Sequence, residues 1–210
     1  MTAATLTDAH AESGLDPDTG KLGMWVFLAS ELLFFGGLFV AYLYGRVHLP
    51  AGWAEGSRHT DVLLGTANTA LLLTSSAAVA LAVACEEDAR QRRWTARLLA
   101  LTAALGIAFL VLKGLEWHAE WREHLVPGPA FALRVPGAQQ FFALYFVMTG
   151  LHGVHMICGI VALAVLARGR SRERAWARAR QLEAAALYWH FVDVVWIVLY
   201  PLLYLVDRHG

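Results

Sequence analysis

The sequence predicts an all-α polytopic membrane protein, a single bundle of five transmembrane helices. Apolar residues make up 58% of the 210 residues and charged residues only 16%, a balance too apolar for a soluble domain of this size. Five stretches are long enough to cross the hydrocarbon core of a bilayer, which requires about 20 mostly apolar residues. Because backbone groups in lipid must be bonded within their own segment, each stretch is predicted to be a helix.

The predicted helices follow one another with connections too short to hold a soluble domain. We therefore expect one membrane domain over residues 22–206, preceded by a polar cytoplasmic tail, 1–21, and followed by a short C-terminal end, 207–210. The tail lacks the basic region and the small-residue cleavage site of a secretory signal, so the first helix is expected to remain as an anchor. The helices are predicted at about 22–46, 61–85, 97–121, 139–167 and 182–206.

Lysine and arginine residues predict the orientation, because they concentrate in cytoplasmic connections. Eleven of them lie in the tail and in the second and fourth connections, against five on the opposite side. The N-terminus is therefore expected in the cytoplasm and the C-terminus on the periplasmic side. Basic and acidic residues balance at 17 each, so no nucleic-acid partner is indicated. Tryptophans near the predicted helix ends, among them Trp53 and Trp121, are expected to lie in the membrane interface.

Ionisable side chains occur within four of the predicted helices, where each one costs free energy and implies a bonded partner or a function. With a rise of 1.5 Å per residue, Glu31 and the three intramembrane histidines are placed at one depth in the bundle. Lys113 and Glu116 lie toward the outer face, one turn apart, and are expected to pair. The complete set is Glu31, Lys113, Glu116, His152, His155, His190 and Asp193.

Three interpretations of this set compete. A metal site could combine Glu31 with the three histidines, a familiar ligand set in helical bundles, but no Glu-x-x-His motif supports it. A proton or ion pathway could run through Glu31, but the internal repeats typical of transporters are not seen. The third interpretation is structural: the groups bond with one another, with Ser and Thr, with lipid or with a partner subunit. It is favoured for His152 and His155.

The sequence does not predict an active site in this chain. Signatures of soluble enzymes, such as Gly-x-Ser-x-Gly, a phosphate-binding loop or a dinucleotide fingerprint, are missing. Cys85 and Cys158 are expected to be small buried hydrophobes rather than metal ligands. No catalytic, cofactor-binding or metal-binding residue is therefore assigned.

Five segments carry a more specific signal: Met24–Gly36, Asn68–Ser76, Lys113–Trp117, Thr149–His155 and Glu183–Trp196. The first reads Met-Trp-Val-Phe-Leu-Ala-Ser-Glu-Leu-Leu-Phe-Phe-Gly, and the last reads Glu-Ala-Ala-Ala-Leu-Tyr-Trp-His-Phe-Val-Asp-Val-Val-Trp. In this order the segments resemble the motifs of subunit III of the haem-copper cytochrome c oxidases. The resemblance extends over roughly residues 22–206.

This resemblance implies a non-catalytic subunit of a respiratory terminal oxidase in the bacterial plasma (inner) membrane. The chain would hold no cofactor itself, while haem and copper would be in partner subunits I and II. It would stabilise subunit I, bind phospholipid and support proton uptake during aerobic electron transport. By motif, Glu31 looks like the family's intramembrane, proton-related carboxylate. Lipid or inter-helix polar contacts are implied for His152, His155, Glu183, His190 and Asp193, and expected for Lys113 and Glu116.

Some features depart from the mitochondrial-type pattern. That pattern has seven helices, so its two N-terminal helices are absent here or supplied elsewhere, and Lys113 replaces a commonly uncharged residue. Together with the segment Tyr200–Tyr204, these features look similar to the subunit III-like protein associated with nitric oxide reductases, which is the alternative. An independent proton or solute transporter is less favoured. Cytochrome c is the expected electron donor of the complex, with quinol as the other candidate.

Overall fold

The computed structural model describes residues 17–87, 90–168 and 175–205, so the first 16 residues and the C-terminal end 206–210 lie outside the described part. Those described residues form α-helices and one short π-helical segment, without a β-strand. We number the helices in chain order. They are α1 (Pro17–His48), α2 (Pro50–Arg58), α3 (Val62–Glu87), α4 (Arg92–Arg122), α5 (Ala138–Arg168) and α6 (Ala175–Tyr200), and α6 continues into the π-helical segment Pro201–Leu205.

Five of the described helices are long and apolar enough to cross a membrane, which confirms the predicted fold class. Three of these helices begin several residues earlier than the predicted bounds: α1 at Pro17, inside the predicted polar tail, α4 at Arg92 and α6 at Ala175. Orientation across the membrane stays a prediction. The membrane-spanning stretches are Leu22–His48, Val62–Glu86, Arg93–Arg122, Ala138–Arg168 and Ala179–Leu205.

Helices α3 to α6 form the body of the bundle, and α1 lies at its periphery. Along the chain α3 packs on α4 and α4 on α5, while α6 closes the group by packing on both α3 and α5. In contrast, α1 contacts α2, α5 and α6 lightly and buries only 11% of its most apolar stretch. The largest fully buried side chains of the bundle are aromatic and include Phe109, Phe142, Tyr145, Trp189 and Trp196.

The short helix α2 was not predicted, because its residues were assigned to the connection between the first two spans. Pro50 occupies the first turn, where a missing N–H costs nothing. Gly52 and Gly56 allow close packing: a Cβ at Gly52 would lie 2.5 Å from backbone atoms at the start of α5. Trp53, predicted to lie in the membrane interface, is instead buried with 1% exposure. Tertiary packing rather than hydropathy therefore fixes this segment.

The end of α6 changes geometry at Pro201. Proline has no N–H to continue the helical ladder, and the five residues Pro201–Leu205 adopt π-helical geometry. Side chains from elsewhere approach the carbonyls of this segment: the Tyr42 hydroxyl donates to Leu202, and the Thr60 hydroxyl lies 3.4 Å from the Leu203 oxygen. The segment thereby connects α1 and the α2–α3 turn to the bundle, and it buries Tyr204 completely.

Candidate functional site

One polar contact joins the peripheral helix α1 to the bundle at mid-membrane depth. The Nε2 atom of His155 lies 3.0 Å from Oε2 of Glu31. The side chains of these residues are only 16% and 20% exposed, respectively. The edge of the His155 ring also packs against Phe35, and its backbone carbonyl accepts a hydrogen bond from the Tyr188 hydroxyl. The Glu31–His155 pair is thus a contact between α1 and α5, supported by α6.

The hydrogen bonds of His155 show that this pair shares one proton. Its Nδ1 lies 2.8 Å from the Leu151 carbonyl oxygen, and because a carbonyl can only accept, Nδ1 must carry a hydrogen. Nε2 then has two options. It accepts a hydrogen bond from a neutral Glu31 carboxyl group, or as an imidazolium it donates one to the Glu31 carboxylate. Either form has no net charge, which suits a site in an apolar environment.

A second polar cluster lies at the end of the bundle where α4 ends, α5 begins and the π-helical segment follows α6. Lys113 Nζ lies 3.1 Å from Glu116 Oε2, so the pairing predicted from their spacing is confirmed. The same ammonium lies 2.7 Å from the Tyr145 hydroxyl and 2.5 Å from the Tyr204 hydroxyl. Both phenols in turn donate to Glu116 Oε1, at 3.0 and 2.7 Å. Three helical elements are therefore connected by one closed hydrogen-bond network.

Aromatic rings surround the ammonium group of this network. Nζ of Lys113 lies 4.4 Å from the ring centroid of Tyr145, 5.2 Å from that of Tyr204 and 5.7 Å from that of Trp196. Such rings stabilise a cation through their quadrupole, and more strongly where water is excluded. Lys113 is 6% exposed and Glu116 is 3% exposed. The ammonium is therefore held by a carboxylate, two hydroxyl groups and aromatic faces rather than by solvent.

His152 does not join either group. Its ring packs against Phe109 at 5.4 Å and Trp196 at 5.2 Å between centroids. The side chain is 1% exposed, and neither ring nitrogen has a hydrogen-bond partner among the described residues. The predicted inter-helix contact of His152 is therefore aromatic rather than polar.

The remaining predicted polar residues lie on α6, and most of them face α3. His190 Nδ1 is 2.7 Å from the Ser76 hydroxyl. Asp193, one turn further along, is 3% exposed, and its oxygens lack a hydrogen bond of normal geometry within the described part of the chain. The nearby indole N–H groups of Trp189 and Trp196 also donate to hydroxyl groups on α3. Glu183, near the start of the helix, is exposed.

The structure therefore does not gather Glu31 and the three histidines into one site. His155 meets Glu31 on α1, His152 meets aromatic rings on α4 and α6, and His190 meets a hydroxyl on α3. Among the described residues, no three His, Cys, Asp or Glu side chains lie close enough together to hold a metal ion. This geometry favours the structural interpretation for His152 and His190 and leaves the Glu31–His155 pair as the candidate for proton chemistry.

Three members of the Lys113 cluster were not predicted from the sequence: Glu120, Tyr145 and Tyr204. Tyr145 precedes Thr149 by four residues and His152 by seven, so helical periodicity places it on their face. Glu120 follows Glu116 by four residues and is buried beside it, with 4% exposure. Tyr204 entered the prediction only as the end of the segment Tyr200–Tyr204. A search for polar residues at i+4 spacing would have found Glu120, but the cross-helix partners depend on the packing.

The sequence of this chain is similar to those of known oxidase subunits. The family model for cytochrome c oxidase subunit III matches residues 2–207. The chain belongs to the cytochrome c oxidase subunit III family. Cytochrome c oxidase subunit 3 of Synechocystis sp. is 37% identical over 204 residues, covering 94% of this chain and 80% of the relative. The same-named protein of Thermostichus vulcanus is 34% identical over 212 residues, covering 99% and 95%.

A third relative is much longer than this chain. The Aeropyrum pernix protein named haem-copper oxidase subunit I+III is 32% identical over 200 residues, which cover 90% of this chain but 23% of that protein. The polar residues of the family-like motifs, from Glu31 to Asp193, all lie within the region that the family model matches. The region that matches the subunit III family therefore includes both the Glu31–His155 pair and the Lys113 cluster.

Proposed function

We propose that this chain is a non-catalytic subunit of a haem-copper terminal oxidase in a bacterial plasma membrane. It packs against the catalytic subunit I, binds phospholipid and supports proton uptake during aerobic electron transport, while haem and copper are held by subunits I and II. The observation that carries the proposal is the subunit III family match over residues 2–207, on a chain whose described residues include five helices long and apolar enough to cross a membrane.

Two observations support subunit I as the partner. One relative is named haem-copper oxidase subunit I+III, and this chain matches 23% of its length; the name places both subunits in one protein. In addition, α1 exposes large apolar side chains along its length, including Leu33 at 78% and Val40 at 66%. Lipid or another transmembrane helix can cover such a surface, because both are apolar.

Phospholipid binding is supported by residues at the start of α4, the end that the charge distribution assigns to the cytoplasm. The guanidinium carbon of Arg97 lies 4.8 Å from the ring centroid of Trp94, and that of Arg93 lies 6.0 Å from it. Trp94 is 44% exposed. An exposed tryptophan beside guanidinium groups at the end of a span suits contact with lipid head groups.

The oxidase is favoured over the nitric oxide reductase alternative, because the cited relatives from Synechocystis and Thermostichus are named as cytochrome c oxidase subunits. Cytochrome c is accordingly the proposed electron donor of the complex.

The test is to tag the chain, extract it from native membranes in mild detergent, and record the optical spectrum and subunit masses of the material. A haem-copper subunit I with cytochrome c oxidase activity is the expected result. A nitric oxide reductase partner would select the alternative, and a haem-free protein that moves protons or solutes in liposomes would reject the subunit assignment.

Proton support is proposed for the Glu31–His155 pair, and Glu31→Gln tests it. Glutamine preserves the shape and one hydrogen bond but cannot exchange a proton with Nε2 of His155. The variant should assemble with subunit I, yet turnover should slow or the oxidase should lose activity several-fold earlier. Oxygen consumption followed over many turnovers measures both. Ser30→Ala is the control, since Ser30 is an exposed neighbour that bonds to its own helix. Unchanged rate and lifetime would assign Glu31 to packing.

A further inference from the structure

The Lys113 cluster contains more acidic than basic groups. Lys113 supplies one ammonium, while Glu116 and Glu120 supply two carboxyl groups from successive turns of the same helix. All three side chains are at least nine-tenths buried. Charged groups held away from water require compensation by a partner of opposite charge. With both carboxyl groups ionised, the cluster would carry one uncompensated negative charge.

The hydrogen bonds place this excess on Glu120. Both oxygens of Glu116 are used, Oε2 by the Lys113 ammonium and Oε1 by the two phenols. Glu120 lies beside the Tyr145 hydroxyl, yet neither of its oxygens has a hydrogen bond of normal geometry with a described residue. A carboxylate that is 4% exposed and lacks a donor is expensive, whereas a carboxylic acid supplies its own donor.

We propose that the cluster of Lys113, Glu116, Glu120, Tyr145 and Tyr204 is a proton-binding site, holding one exchangeable proton shared between the two glutamates. Binding converts one carboxylate into a carboxylic acid, with the proton coming from the aqueous phase at that end of the bundle. No electron transfer is involved. The site is separate from the Glu31–His155 pair, and it does not depend on which oxidase contains the chain.

Among the described residues, the charged groups found to act on Glu120 include one cation, Lys113. Within the described residues, the charged groups that act on it are Lys113 and Glu116 of α4 and Glu123 just beyond that helix. Tyr145 faces it from α5, and Tyr204 of the π-helical segment bonds to the same Glu116. Asp61, at the start of α3, instead accepts from the backbone N–H groups of Leu63 and Leu64.

The position of the site allows proton exchange. Glu120 lies two residues before the end of α4 at Arg122, so about 3 Å of helix separates it from the end of the predicted span. Lys113 is more than one turn deeper. A proton can therefore reach Glu120 from the water-facing end and be passed toward Glu116 through the Tyr145 hydroxyl, which donates to Glu116 at 3.0 Å.

Infrared difference spectroscopy of the intact complex tests this proposal. Between low and high pH, the wild type should show the C=O stretching band of a buried carboxylic acid that shifts in D₂O. Glu120→Gln and Glu116→Gln should each remove that band, because either change leaves one carboxylate to match Lys113. Glu55→Gln is the control, since Glu55 is 31% exposed and pairs with Arg58 and His59.

Several outcomes would overturn the proposal. A band that persists in both cluster variants places the proton elsewhere. Absence of the band in the wild type, together with sodium or potassium binding that the variants lose, makes the occupant a metal cation. Glu120→Gln should also be as stable to heat as the wild type, since it removes the excess charge and leaves the Lys113–Glu116 pair in place. If neither variant folds, the fold requires both glutamates in the ionised form, and the proposal is wrong.

Discussion

Replacing Lys113 with methionine is expected to lower the free energy of unfolding by about 3–5 kcal/mol, the cost of removing one partner from a buried ion pair. Methionine fills a similar volume, so the loss comes from charge and hydrogen bonding rather than from a cavity. Glu116 would keep the two phenol donors but lose its cation. The network joining α4, α5 and the π-helical segment would lose the three hydrogen bonds that the Lys113 ammonium donates.

Unfolding in mixed micelles with increasing SDS measures this loss. The double variant Lys113→Met with Glu116→Gln is the matched control, because replacing both members of a buried pair by neutral groups often costs little. It should recover most of the stability, and the difference between single and double variants measures the coupling. A single variant that loses less than about 1 kcal/mol, as exposed ion pairs do, would show that the cluster is solvated.

Trp53→Ala is expected to cost about 3–5 kcal/mol, the range for deleting a buried large aromatic side chain. The indole packs edge-on against Tyr42 at 5.9 Å and Phe141 at 6.1 Å between ring centroids. It also covers Gly45, where a Cβ would lie 2.2 Å from the ring. Removing it opens a cavity between α1, α2 and α5.

Thermal unfolding of the detergent-solubilised protein distinguishes a buried Trp53 from a Trp53 in the membrane interface. Trp121→Ala is the control, because Trp121 is 70% exposed at the end of α4. The Trp53 variant should unfold at a clearly lower temperature, and the Trp121 variant should stay close to the wild type. Equal, small shifts for both would mean that Trp53 lies in the membrane interface, as the sequence alone suggested.

The five spans could be predicted because the requirement that creates them is local. Each backbone segment in lipid must satisfy its own hydrogen bonds and present apolar side chains, and both properties are visible in a window of about 20 residues. The Lys113–Glu116 pair could also be predicted, since residues three apart on a helix are neighbours. The same argument could not find Tyr145 or Tyr204, because their contacts with Lys113 join different helices.

Helix α2 shows why a connection was harder to predict. Its nine residues are too few and too polar to give a membrane signal, and isolated helices of that length are marginal. Its position depends on Gly52 and Gly56 fitting against α5 and on Trp53 filling the space beside Gly45. The interfacial prediction for Trp53 was wrong for the same reason: aromatic residues near a span end are interfacial on average, but a tertiary cavity overrides that preference.

The sequence by itself determined the membrane class, the number of spans and the family resemblance, because hydropathy and motif order are properties of the chain alone. The tertiary structure decided which polar groups meet. It paired His155 with Glu31, placed His152 between Phe109 and Trp196, and brought two phenols to Lys113. Those contacts depend on how each helix is rotated and tilted against its neighbours. Rotation and tilt are set by packing among all the helices at once, which no single segment encodes.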